Sequence, residues 1–159
     1  MKAALETVYW YPDDVTITGG PYLHTAVFCD RVLRETDGIV SLIRIVDRWT
    51  VAGPAEQMAT TLIQTNLAIL MKSGTYRGAA KVQITPTSPG GQEMASVQVP
   101  VNFEGDDDRG VAVALPMAFP VQEPGVYWFD IQINGQSLTK LPLRVLYQQI
   151  AMQPFLPMA

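Results

Sequence analysis

The chain has 159 residues, 48% of them apolar and only 16% charged, with a formal net charge of −4. That is enough chain to bury one core, too few charges for a disordered protein, and the wrong sign for a nucleic-acid surface, which must neutralise phosphates. The single cysteine, Cys29, excludes an intramolecular disulfide.

Residues 1–22 form an N-terminal segment that carries Tyr9-Trp10-Tyr11-Pro12 and ends in the breaker cluster Gly19-Gly20-Pro21. Its first residues, Met1 to Glu6, lack the apolar stretch of a secretory signal, and no run reaches the roughly 18 apolar residues of a membrane helix. The expectation is a cytoplasmic protein with no membrane association.

Eight strands are expected next, at about 23–34, 39–51, 61–72, 78–86, 94–104, 110–118, 125–134 and 138–147. Val97, Val99, Val101 and Phe103 alternate with Gln98 and Asn102, and Val111, Val113, Leu115 and Met117 repeat that period of two. In the most legible unit, Tyr127, Phe129, Ile131 and Ile133 share one face, and Asn134-Gly135 supplies the positive-φ residues of a tight hairpin. Only Gly53 to Thr60, with Pro54 at a first helical position, is compatible with a helical turn.

Short strands at this spacing, punctuated by turns, predict an all-β fold: a two-sheet sandwich of about seven or eight strands, immunoglobulin-like or C2-like, over residues 23–147. A two-residue Asp37-Gly38 turn would set Arg31 across from Arg44, an unfavourable pairing. Either a bulge intervenes or the two strands lie in different sheets. Residues 148–159 form an extended apolar arm, since Pro154 and Pro157 forbid a regular helix.

The segment Phe28-Cys-Asp-Arg-Val-Leu-Arg-Glu-Thr-Asp-Gly-Ile-Val-Ser-Leu-Ile43 resembles a family of small uncharacterised bacterial proteins. Phe28, Cys29, Asp30, Val32, Glu35, Gly38, Ser41, Leu42 and Ile43 match its pattern. Arg31 stands for aspartate, Leu33 for arginine, Ile39 for lysine and Arg44 for glycine. Gly125, Tyr127, Phe129 and Pro142 to Val145 are similar to the family's C-terminal pattern. The resemblance implies a β-sandwich and no assigned activity.

Reactive side chains are few. His24 is the sole histidine, so neither a Cys/His zinc site nor a Ser-His-Asp triad can be assembled in the usual way. His24 and Cys29 also have opposite strand parity. Cys29 is expected to pack as a small buried hydrophobe. Asp30 and Asp47 lie among Arg31, Arg44 and Arg48, which points to ion pairs rather than catalysis. The chain is read as a non-enzyme without a cofactor.

Asp106, Asp107 and Asp108 are the one candidate for Ca²⁺, if Asp13-Asp14 or Glu123 converge on them to supply six to eight oxygens. Apolar residues outside the strands fit better with an interaction module that docks on a protein partner or forms a homo-oligomer. The residues expected to carry it are Tyr9, Trp10, Tyr11, Phe155 and Leu156. Trp128, of opposite parity to its neighbours, is expected to face away from the core, either under a terminal segment or as a surface platform for a partner side chain or for the sugar of a carbohydrate.

Overall fold

A computed structural model describes residues 19–37, 39–104 and 109–151. Nine strands make up this part: β1 (Tyr22–Arg34), β2 (Val40–Val46), β3 (Arg48–Gly53), β4 (Thr61–Lys72), β5 (Gly78–Thr87), β6 (Val97–Phe103), β7 (Gly110–Val121), β8 (Gly125–Ile133) and β9 (Gln136–Gln149). They form two sheets, of order β2-β1-β4-β7 and β3-β9-β8-β5-β6. The protein is an all-β two-sheet sandwich.

Every pairing is antiparallel except β3 with β9. Period-two alternation builds the core, because each strand delivers every second side chain inward. Phe28, Ile63, Leu67 and Phe119 from the four-stranded sheet meet Val82, Phe129, Ile131 and Leu143 from the other, all at most 3% exposed. The Phe129 ring takes the edges of two neighbours, Phe28 at 4.7 Å and Phe119 at 5.1 Å between centroids.

The expected Asn134-Gly135 hairpin is present, with φ of 47° and 82° at the two residues and Ile133 paired to Gln136. Asn134 also ties β5 in, its Oδ1 accepting the Lys81 N–H at 2.9 Å. Residues 54–60 contain no helical turn; they bend from one sheet to the other.

The stretch expected as one strand over 39–51 is two strands in different sheets. The chain leaves β2, turns at Asp47 and joins β9 as β3, with the Asp47 carbonyl accepting the Arg144 N–H. The β1–β2 hairpin exists, but its register is one residue from that of a two-residue turn. Glu35 N–H bonds to the Ile39 carbonyl, which closes the hairpin one residue earlier on the β1 side than a two-residue turn would. Arg31 therefore faces Ile43, and Arg44 meets Asp30 instead, at 2.7 Å. Lengthening the turn converts a like-charge clash into an ion pair.

Candidate functional site

Of the expected interaction residues, Tyr9, Trp10, Tyr11, Phe155 and Leu156 lie outside the described residues. Trp128 is described. It points away from the core on β8, 45% exposed, with Pro142 on one neighbouring strand and Thr87 on the other. Trp49 takes the opposite role and packs half-buried against the core.

Asp106, Asp107 and Asp108 are also outside the described residues. Their loop joins β6 to β7, while Glu123 sits in the β7–β8 connection at the other end of the sandwich. Glu123 is separated from Gly110, the first residue of β7, by the twelve residues of that strand, about 40 Å of chain. Among the described residues no three His, Cys, Asp or Glu side chains gather closely enough to hold a metal.

His24 is the extra residue of a bulge between Leu23 and Thr25, exposed, and five strand residues, about 16 Å, separate it from Cys29. Cys29 is fully buried, as expected, but not in the core. It shares the outer face of the four-stranded sheet with Ile45 on one side and Asn66 on the other. Burial, and then the nearby Asp30 charge, push its thiol pKa above the ordinary 9.0. An unreactive thiol results.

The charged residues expected to form a network form two separate exposed pairs, Asp30–Arg44 at 2.7 Å and Asp47–Arg48 at 2.9 Å. The Arg48 guanidinium, through its hydrogen bond and then its charge, holds the Asp47 carboxyl below its usual pKa.

The two outer faces of the sandwich differ sharply in chemistry. That of the five-stranded sheet is polar. Gln98 donates to Gln83 across β6 and β5 at 2.9 Å, and Asp130 accepts from Gln132 at 2.6 Å and from Ser137 at 3.1 Å. That of the four-stranded sheet is rich in exposed aliphatics: Ile43, Ile45, Leu33 and Leu62 stand 44%, 60%, 45% and 57% exposed around the small buried side chains of Cys29 and Ala68. Arg31, opposite Ile43, and Gln64 and Asn66 on β4 are polar residues among them. A patch of that kind marks an interaction surface.

The sequence reading placed the interaction residues at the termini and did not include this face. Its signal was present in the unbroken run Leu67-Ala-Ile-Leu-Met71, apolar at both parities, as in a strand buried on two sides.

Edge chemistry adds a second asymmetry. Pro100 lies on edge strand β6, and Pro116 and Pro120 on edge strand β7. A proline has no N–H to offer, so these two edges are blunted against further strand pairing. Edge strands β2 and β3 contain none.

The class of protein is thus an all-β two-sheet sandwich, with exposed aliphatic residues concentrated on the outer face of its four-stranded sheet. Residues 24–146 match a family of unknown function, DUF6941, and the chain belongs to that family. No curated protein matches it. Among the described residues no helix is long and apolar enough to cross a membrane.

Proposed function

We propose that this chain is a non-enzymatic, cytoplasmic self-assembly module of immunoglobulin-like type, whose outer four-stranded face packs on the same face of a second copy. The observation that carries the reading is the apolar face around Ile43 and Ile45. Three inter-strand spacings and about ten paired residues give it a plan area of about 480 Å². Two such faces together remove about 950 Å² from water, short of the roughly 1,200 Å² at which specific interfaces begin, so further segments must complete the contact. The N-terminal Tyr9, Trp10 and Tyr11 and the C-terminal Phe155 and Leu156 would extend that contact.

The immunoglobulin-like assignment is supported by the Tyr127 corner. Its hydroxyl donates to the Glu123 carbonyl at 3.1 Å and accepts the Gln122 N–H at 3.2 Å, tying the start of a core strand back to the preceding connection. The cytoplasmic assignment is supported by a lone cysteine that is buried rather than bridged.

Sedimentation velocity of the full chain and of Ile45→Lys tests the reading, with chains lacking residues 1–18 or 152–159 alongside. Cutting after residue 151 spares the bond from Ile150 N–H to the Gly53 carbonyl. Association by the full chain that Ile45→Lys abolishes is the expected result. Association that survives Ile45→Lys but not the truncations assigns assembly to the terminal segments instead. A monomer at all concentrations sinks the idea.

A further inference from the structure

The end of the sandwich formed by residues 54–60, 88–96 and 122–124 holds two adjoining clefts. The larger encloses about 370 Å³ between β7 and the 88–96 loop. Its floor is made by Met117, Phe119 and Tyr127, all buried, and Met94 lies against it. Glu93 and Glu123 stand at its rim. The smaller, about 320 Å³, lies between Glu56, Met58 and Tyr147 and shares Gln122 and Glu123 with the first. Among the described residues no lysine, arginine or histidine lines either cleft.

Both rim positions of the larger cleft are fixed by the fold. Glu123 is held through the Tyr127 hydroxyl, and the 88–92 loop closes onto the same connection. A side chain at Gly125 would stand 2.7 Å from the Pro89 ring, so only glycine allows that approach. Glu93 is bridged to Thr87, and Met94 N–H bonds to the Pro86 carbonyl at 2.8 Å.

We propose that this end binds an extended basic segment of a protein partner. A lysine or arginine stem lies on Met94, Met117 and Phe119, and its cationic head reaches the Glu93 and Glu123 carboxylates. Long basic side chains combine an apolar stem with a charged tip, and an apolar floor under an acidic rim is the complement of that shape. A divalent cation does not fit, because among the described residues no three carboxylates come together to coordinate one. A peptide fits better than a free amine, because an extended chain repeats its side-chain direction every two residues, about 7 Å. It can therefore fill two clefts that share Glu123, whereas an amine fills one. None of Ile43, Ile45, Leu33 and Leu62 lines either cleft, so failure here leaves that reading untouched, and the reverse.

The test is an NMR titration of the full chain with ¹³C-labelled methionine methyls. The probe is the peptide acetyl-Leu-Lys-Leu-Lys-Leu-amide, compared with its glutamate counterpart and with hexylamine. The basic peptide should move the Met94, Met117 and Met58 methyls and leave Met71, remote from these clefts, in place. Glu93→Gln with Glu123→Gln should weaken binding about tenfold or more, the effect of about 1.4 kcal/mol. An unmoved Met71 methyl in that variant reports that it has folded. Glu104→Gln, at the opposite end, removes a charge of the same sign and should leave the affinity unchanged.

Three results overturn the proposal. One is equal shifts from the acidic and basic peptides, or none from either. Another is Glu104→Gln weakening binding as much as Glu123→Gln alone. The third is hexylamine binding as tightly as the peptide, which would make the ligand a small amine.

Discussion

Arg44 holds a left-handed backbone, φ 53°, in the middle of edge strand β2. For a residue with a Cβ that conformation costs about 1–2 kcal/mol. The Asp30–Arg44 ion pair offsets little of it, because the Arg44 side chain is 75% exposed and such pairs contribute about 0.2–1 kcal/mol. Glycine, with no Cβ, takes this conformation without that cost. Arg44→Gly and Arg44→Ala both lose the ion pair, but only glycine relieves the strain. Thermal unfolding should therefore place the glycine variant above the alanine variant by about 1 kcal/mol, or about 2–4 °C. Equal midpoints would mean that the strand relaxes around any side chain.

Cys29 makes a second residue-scale prediction. Its pKa is raised in the folded state, by burial and then by Asp30. The unfolded chain therefore releases this proton at lower pH than the folded one. The stabilising contribution is complete below the unfolded pKa and declines as pH rises through the folded value. Wild-type stability should fall more steeply above about pH 9 than that of Cys29→Ala, in denaturant melts run at increasing pH. Parallel pH profiles would show that the thiol is not shielded.

At the scale of elements, β4, β5 and β8 were legible almost to the residue, because clean alternation and Gly or Pro boundaries act locally. The Asn134-Gly135 hairpin was legible for the same reason: both residues accept positive φ. What escaped was non-local. Nothing between Val40 and Val51 announces that the chain changes sheets at Asp47, since that kink is stabilised by a hydrogen bond to Arg144, almost a hundred residues on. The β1–β2 register escaped because it depends on one residue of loop length. The His24 bulge breaks the parity that separates His24 from Cys29 on paper, so distance, rather than facing, keeps them apart. The apolar outer face was readable in the double parity of Leu67 to Met71, and the loop-end clefts were not readable at all. Those clefts bring together β7, the β5–β6 loop and the β7–β8 connection, whose proximity only the packing of two sheets creates.

The whole molecule therefore carries two surfaces of opposite physical character. The four-stranded face carries the exposed Ile43, Ile45, Leu33 and Leu62, and each copy brings a net charge of −4 to any self-association. Salt shortens the reach of that repulsion, from about 10 Å at 0.1 M to about 3 Å at 1 M, and leaves apolar burial intact. Association through the face should hold or strengthen as NaCl rises. Capture of a basic peptide at the loop end depends on attraction between unlike charges at a partly solvated rim, and the same salt should weaken it. Sedimentation and the methionine-methyl titration, each run at about 0.05 M and about 0.5 M NaCl, should therefore move in opposite directions. If both interactions weaken together, assembly is electrostatic and the apolar face is not its seat. If both persist unchanged, the carboxylates at Glu93 and Glu123 do not carry the binding, and the cleft selects its ligand by the methionine and phenylalanine floor alone.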